Sequence, residues 1–411
     1  MALRTAAATL VVAGLHLAYP AAAQPELAGA ERERRLAAQI EDEQSRNGPH
    51  SDKLIAPLTA LALFYQEQGD HALAAATIDR ALQVVRATRG LYSFEQAPLL
   101  QQKIANEEAR GDSLAAWAVE QELLELARRH PEDLRTVPIL REMGDEHLVL
   151  LDRYLAGDVP EEVILSGFRH PTYGSRRKVA RRILLAASEL YREAIEVLVR
   201  NERYASKELT DLEMLLVRIS YVLSDYDAGM SSLRRLLAYD IAGSAPAERR
   251  ARSLVRVADW ELLFHRNSAA LLIYEQAYRQ LVESGVPSTS IGELFAPATP
   301  VVLPDFAPNP LASRKTAGST GHIDVAFEIS RFGEARRIEI LDAANATSAD
   351  ERELVRLIGA HRFRPRIADG ELGHTVPVVV RYYLTPAEDH AEAALRRDDD
   401  AAQSAAAEPP L

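Results

Sequence analysis

The spacing of apolar side chains changes once along this chain, and that change limits what the chain can fold into. Up to about residue 284, apolar and small residues recur at i, i+3, i+4 and i+7, whereas beyond residue 320 they alternate with polar residues. The first pattern places apolar side chains on one face of a helix, and the second places them on one face of a strand. The sequence therefore predicts a mostly α chain that ends in a small α+β domain, with a three-stranded antiparallel sheet and one helix.

The clearest helical hairpin is predicted between residues 53 and 82. Its first helix places large and small apolar residues on one face, Gly69 then interrupts the pattern, and the second helix resumes the same spacing. Small residues at these positions let two helix axes approach to the ~8–10 Å that packed helices need. The residues that define the hairpin are Leu58, Ala62, Tyr65, Gly69, Ala74 and Ala81.

Similar hairpins recur further along the chain. A Gly-Asp pair at Gly111 follows the one at Gly69 by 42 residues, and a late hairpin repeats the order of small and aromatic residues. This order resembles the tetratricopeptide repeat, in which stacked hairpins form a solenoid whose extended groove binds peptides or proteins. The resemblance implies a solenoid over residues 53–284, and its late members are Ala258, Ala270, Tyr274 and Ala277.

The middle of this region follows the repeat pattern less closely. Helices are predicted over 134–155 and 179–200, separated by a turn-rich loop at 166–178. A loop of this length is either a functional protrusion or a plain insertion.

The first 23 residues have the pattern of a secretory signal peptide. One positive charge at Arg4 precedes an apolar run over 6–18, and an A-x-A motif ends at Ala23, before Gln24. We therefore expect export to a periplasm and a mature chain without a transmembrane segment, beginning with a helical lead-in over 24–52. The alternative is an uncleaved segment that anchors the protein in the inner membrane, although the run is shorter than the ~20 residues of a spanning helix.

Two other segments are predicted to lie outside the folded domains. Residues 285–319 are rich in proline, which disfavours a continuous helix and predicts an extended linker. Residues 386–411 contain almost no large apolar side chain, so a disordered tail is expected.

The C-terminal domain is predicted over residues 320–385. Ile323, Val325, Phe327 and Ile329 alternate with polar residues, a turn at Gly333 leads into a second strand, and a helix follows over 350–360. Ser348 is placed to cap that helix. After Phe363-Arg364-Pro365 and a loop, the last strand is predicted over 375–384.

This order of elements resembles the TonB C-terminal domain. The matching residues are Gly321, Gly333, Phe363, Pro365 and Gly370. The resemblance implies that an extended peptide pairs with the exposed edge of the small sheet, where main-chain groups are unpaired. The predicted peptide-binding residues are Thr375, Val376, Val378, Val380 and Tyr382. Two alternatives stay open: the edge pairs within a homodimer, or the linker covers it.

Composition and motifs exclude several classes of function. The net charge of −12 argues against nucleic acid as a partner, and the absence of cysteine excludes thiolate chemistry. The histidines form no pair at metal-ligand spacing near a carboxylate, and no nucleophile or phosphate-binding motif occurs, so no catalytic residue, metal or cofactor is predicted. The basic cluster at Arg362, Arg364 and Arg366 either meets an acidic partner or faces solvent.

The sequence thus favours an exported, non-catalytic scaffold that binds proteins or peptides of the cell envelope. A membrane-anchored energy transducer that acts on outer-membrane receptors is the alternative, because it shares the C-terminal resemblance. An enzyme that acts on cell-wall polymer is the third possibility, and it would need paired carboxylates in a cleft.

Overall fold

The computed structural model describes residues 23–158, 176–297, 300–303, 321–368, 370–373 and 377–384. Up to residue 295 these residues form helices. Beyond residue 295 they form strands and one further helix. The helices are α1 (Ala23–Asn47), α2 (Ile55–Gln68), α3 (His71–Arg89), α4 (Ala97–Ala109), α5 (Ser113–Arg128), α6 (Thr136–Ala156), α7 (Arg176–Arg200), α8 (Lys207–Val222), α9 (Tyr226–Ala242), α10 (Ala247–Leu263), α11 (Asn267–Glu283), α12 (Ser288–Phe295) and α13 (Ser348–Ala360).

The described chain divides into two compact units. The first holds α1 to α5, and the second begins at Glu132 and holds the remaining helices and all strands. The division follows Pro131, which cannot donate a backbone hydrogen bond and comes just after the end of α5. It falls inside the region that the sequence predicts as one solenoid.

Small buried residues join the helices of the first unit. Leu58 and Ala62 of α2 are buried together with Ala74 and Ala81 of α3. Gly69 ends α2 in the left-handed conformation, with a φ of 79°, which glycine adopts without the steric cost of a side chain. Tyr65, the aromatic residue of the predicted hairpin, is only half-buried, and its hydroxyl donates to Glu33 of α1.

In the second unit, two contacts between neighbouring helices, here called seams, depend on a glycine. The small residues that the sequence analysis identified between helices were alanines. A side chain at Gly144 of α6 would meet the ring of Tyr191 on α7, and one at Gly229 of α9 would meet the ring of Trp260 on α10. Both aromatic side chains are fully buried. Absence of a side chain therefore makes room for a large ring in each seam.

The last helical hairpin, α10 with α11, is packed as the repeat spacing predicts. Ala258, Ala270, Tyr274 and Ala277 are all fully buried. Short helix α12 packs against α11 and adds Leu294 and Phe295 to the same apolar cluster.

The strands form one three-stranded sheet and two short pairs. They are β1 (Val302–Leu303), β2 (Gly321–Ile329), β3 (Ala335–Ala344), β4 (Arg362–Phe363), β5 (Arg366–Ala368), β6 (Glu371–Gly373) and β7 (Val378–Leu384). The three-stranded sheet is antiparallel with the order β3-β2-β7, and β1 pairs with β4 and β5 with β6. The core face of the sheet carries Ile323, Val325, Phe327 and Ile329, against which Leu354 and Ile358 of α13 are buried.

These elements confirm the predicted fold class, which is helical hairpins followed by a three-stranded antiparallel sheet with one helix. Two local predictions are wrong. The region 285–319 contains the helix α12 and the strand β1, because its apolar groups pack on α11 and pair with β4. The cap of α13 is Thr347 and not Ser348, since the Thr347 hydroxyl accepts from the backbone N–H of Asp350 while the Asp350 carboxylate accepts from the N–H of Thr347.

Several predicted features lie outside the described residues. They are the signal peptide up to residue 22, most of the loop at 166–178, the linker from 304 to 320, Thr375 and Val376, and the tail from 386.

Candidate functional site

A buried ion pair joins the C-terminal strands to the last helical hairpin. Arg364 lies between β4 and β5, and its guanidinium donates to both oxygens of Asp259 on α10, at 3.0 and 2.5 Å. The Arg364 side chain is 9% exposed and that of Asp259 is 2% exposed. The Tyr274 hydroxyl of α11 donates to the same carboxylate at 2.5 Å. Asp259 therefore receives three hydrogen bonds in an environment with almost no water.

Apolar contacts continue the same junction. Leu303 of β1 and Ile367 of β5 are buried in the cluster formed by α10, α11 and α12. The backbone N–H of Arg364 donates to the carbonyl of Val301 at 2.9 Å, next to the β1–β4 pair. The short strands β1 and β5 and the residue Arg364 are thus held on the helices of the same unit by both polar and apolar contacts.

The glycines on which the sequence analysis based its comparison with the TonB C-terminal domain occupy restricted backbone positions. Gly333 has a φ of 70°, and its carbonyl accepts from the N–H of Phe363 at 2.9 Å. The ring of Phe363 lies 5.3 Å from that of Phe327, between centroids. Gly370 adopts a φ of 84° before β6, and a side chain at Gly321 would clash with the carbonyl of Ala344. Pro365 is buried.

Two of the three arginines in the basic cluster after α13 have carboxylate partners. Arg364 is buried against Asp259, and Arg362 pairs with Glu334 at 3.2 Å. Sequence spacing could not find these partners, because Asp259 lies 105 residues before Arg364.

Strand β7 is the main candidate for a binding edge. It pairs with β2 through one of its edges, and no strand pairs with its other edge among the described residues. An unpaired edge offers backbone N–H and C=O groups to an extended peptide.

The two faces of β7 differ from the assignment made on sequence. Val378, Val380 and Tyr382 pack on the core of the sheet, and Tyr382 is only 6% exposed. Outward-facing positions are instead Val379, which is 62% exposed, together with Arg381 and Tyr383. A peptide at this edge would therefore pair with the main chain of Val378, Val380 and Tyr382. It would contact the side chains of Val379, Arg381 and Tyr383.

The electrostatics of β7 follow from these orientations. Burial raises the pKa of Tyr382 to about 12, because the phenolate would lose its hydration. On the opposite face, Arg381 donates to both oxygens of Asp324 on β2, at 2.7 and 2.6 Å. These hydrogen bonds lower the pKa of the Asp324 carboxyl.

The helices of the second unit also border an open cavity of about 490 Å³. Its wall includes three arginines and, within the described part of the chain, a single carboxylate, Asp227. The lining residues are Tyr226, Asp227, Met230, Ser231, Arg234, Arg235, Ala238 and Arg266. A pair of facing carboxylates, which the cell-wall enzyme would need, does not line this cavity.

Sequence reasoning missed a cluster on the outer face of the sheet. His322 and Asp324 of β2 lie beside Asp342 of β3. The sequence analysis considered pairs of histidines near a carboxylate, and this cluster contains a single histidine. The signal was present as His322-x-Asp324, since alternate residues of a strand share a face. The third member comes from another strand, so only the register supplies it.

None of the helices in the described residues combines the length and the apolar character that a membrane crossing requires.

Comparisons with known proteins give a limited result. No protein-family model matches the chain, and no curated relative matches it. Solved structures give low-scoring likenesses. BtubC (BKLC) from P. vanneervenii is 13% identical with a TM-score of 0.33, over 71% of this chain and 97% of that one.

Two other solved structures are repeat proteins. A putative kinesin light chain from Podospora anserina with nearly identical TPR-like repeats is 12% identical, with a TM-score of 0.31, over 58% of this chain and 99% of that one. The TPR2AB domain of yeast Sti1, in complex with an Hsp90 peptide, is 16% identical with a TM-score of 0.21, over 66% and 97%. Scores this low carry no argument about function, and the fold assignment stands on the helix pairs and strands described above.

Proposed function

We propose that this protein is an exported, non-catalytic scaffold whose small sheet binds an extended peptide at the edge of β7, while its helical hairpins bind protein partners. The observation that carries the proposal is the open edge of β7 on the three-stranded sheet. An edge that is already formed in the free protein costs less ordering entropy on binding than a segment that must fold to bind.

The side chains at this edge support a peptide with both apolar and acidic positions. Val379 on β7 offers an exposed apolar contact. Arg381 follows it on the same face of the strand and retains donors beyond the two that Asp324 accepts. Main-chain pairing would supply affinity, and these side chains would supply selectivity.

Export is part of the same proposal. It rests on the apolar run and the A-x-A pattern before Gln24, and sequencing the N-terminus of the mature protein tests it. A mature N-terminus at Gln24 supports export with cleavage. An intact N-terminus in the membrane fraction would favour the anchored energy transducer instead.

The binding edge is tested with peptides selected on the full chain from a random library of extended sequences. We expect selected peptides to slow hydrogen exchange at the amides of β7, and Val379→Lys to weaken their binding at least about tenfold, or about 1.4 kcal/mol, because a lysine on an edge opposes strand addition.

Val222→Lys is the matched control. Val222 ends α8 and is 65% exposed, close to the 62% of Val379, so the added charge is equally solvated. Selected peptides that slow hydrogen exchange only at helical amides would place the binding site on the hairpins instead of on β7. Failure to select any peptide would refute the proposal that the edge of β7 binds peptides.

A further inference from the structure

The outer face of the C-terminal sheet gathers three side chains of metal-ligand type. Alternation along β2 turns Ile323 and Val325 into the core and leaves His322 and Asp324 on the opposite face. The register of β2 with β3 then places Asp342 directly across from Asp324. One potential ligand atom from each of His322, Asp324 and Asp342 lies within 4.8 Å of the other two.

We propose that His322, Asp324 and Asp342 bind a divalent transition-metal ion of the zinc class. One imidazole nitrogen and two carboxylate oxygens suit such an ion, whereas calcium and magnesium prefer oxygen ligands alone. Three protein ligands leave one position of a tetrahedral ion for water or for a ligand from a partner.

The separation of His322 from Asp342 fits a shared ion better than a direct hydrogen bond. Nε2 of His322 lies 3.5 Å from Oδ2 of Asp342, beyond the usual hydrogen-bond range. Zinc binds nitrogen and oxygen at about 2.0–2.2 Å, so two ligands at a tetrahedral angle stand about 3.3–3.5 Å apart. The two side chains already hold that spacing.

Arg381 orients Asp324, the central residue of the cluster, and leaves a lone pair on each of its carboxylate oxygens. Each Asp324 oxygen accepts one hydrogen bond from the guanidinium, and a carboxylate oxygen has a second lone pair. Metal-binding carboxylates commonly carry such an outer hydrogen bond. The ion pair also leaves Asp324 mostly enclosed, with 16% of its side chain exposed.

The charges of the cluster favour a cation. Asp324 and Asp342 are a like-charged pair directly opposite each other on neighbouring strands, an arrangement that destabilises a sheet. Arg381 offsets one of the two charges from the β7 side, so the cluster keeps one net negative charge while the imidazole is neutral. A divalent ion between the β2 and β3 side chains would remove the remaining repulsion.

The test uses the full chain without an affinity tag, stripped of metals with a chelator. Cobalt(II) is the probe, because its visible absorption reports a site of low coordination number, and zinc(II) is then added as a competitor. We expect one saturable cobalt site that zinc displaces, and an affinity at least about tenfold lower in Asp342→Asn and His322→Ala.

His50→Ala is the control, since His50 is exposed in the turn after α1 and lies outside the cluster. Asp342 is 66% exposed at its side chain, so Asp342→Asn leaves the fold intact, and far-UV circular dichroism checks this. Equal metal affinity in all three variants, or the lack of a saturable site in the unaltered protein, would overturn the proposal. Peptide binding at β7 is measured separately, so either proposal can fail alone.

Discussion

The hairpin α2–α3 and the junction between α10 and the segment from β4 to β5 are both tightly packed, but they are built from different interactions. In the hairpin, alanines at fixed spacing let two neighbouring helices approach, and the buried residues that join them are apolar and close in sequence. At the junction, a buried carboxylate and a guanidinium meet across 105 residues, with a tyrosine hydroxyl as third partner. Periodic apolar packing therefore builds the hairpin, whereas the junction adds a buried polar group to its apolar contacts.

The largest effect is expected from removing the cation of the junction. Arg364→Ala would leave the Asp259 carboxylate buried with only the Tyr274 hydroxyl, and breaking a buried ion pair in this way costs about 3–5 kcal/mol. Urea denaturation of the full chain measures the loss. Arg352→Ala on the exposed side of α13 is the control, with an expected change within about 0.5 kcal/mol.

Replacing the whole polar group sharpens this result. If desolvation of a lone charge causes the loss, the triple variant Asp259→Leu, Tyr274→Phe, Arg364→Met should be more stable than Arg364→Ala, because no buried charge remains. A loss below about 1 kcal/mol in Arg364→Ala would mean that apolar contacts alone hold the junction.

Alkaline pH should destabilise the sheet through the buried Tyr382. The pKa of Tyr382 is raised from 10.0 to about 12, so below pH 10 the side chain is neutral in both the folded and unfolded states. Between pH 10 and 12 the unfolded chain loses this proton and the folded chain keeps it, so stability falls as the pH rises. The loss approaches about 3 kcal/mol at the upper end, from 1.36 kcal/mol per pKa unit.

Denaturation at several pH values tests this window. Tyr382→Phe should reduce the loss of stability between pH 10 and 12. Tyr383→Phe, which removes a hydroxyl from the outer face of the same strand, should leave that loss unchanged. The same slope in both variants would show that Tyr382 is not the group responsible.

A smaller effect is expected in the glycine seam between α9 and α10. Gly229→Ala would push a methyl group into the ring of Trp260, which is fully buried, and overpacking of this kind costs about 1–3 kcal/mol. Gly292→Ala in α12 meets no atom within 4 Å and should be neutral or stabilising by up to about 1 kcal/mol, because alanine favours a helix. Thermal unfolding of the two variants compares them, and equal losses would contradict the packing argument.

Much of the fold could be predicted because it depends on local spacing. Helices expected over 134–155 and 179–200 are observed as α6 and α7, and the alternation from Ile323 to Ile329 is the core face of β2. Gly144 and Gly229 were missed because a glycine inside a helix is usually a weak helix former, and its benefit is visible only when the facing ring is known.

The candidate site was less predictable. Residues of β7 were identified, but the inward orientation of Tyr382 depends on the register of β7 with β2. A register shift of one residue would exchange the two faces, and nothing local in a valine-rich strand fixes that register. The partners of Arg364 and of His322 are likewise set by strand pairing and packing.

The sequence by itself determined the main helices and strands and their order, since side-chain period and turn residues act over a few positions. Only the tertiary structure decided which charges are buried, which face of β7 is exposed and whether His322, Asp324 and Asp342 meet on the sheet, because these depend on contacts between residues far apart in the chain.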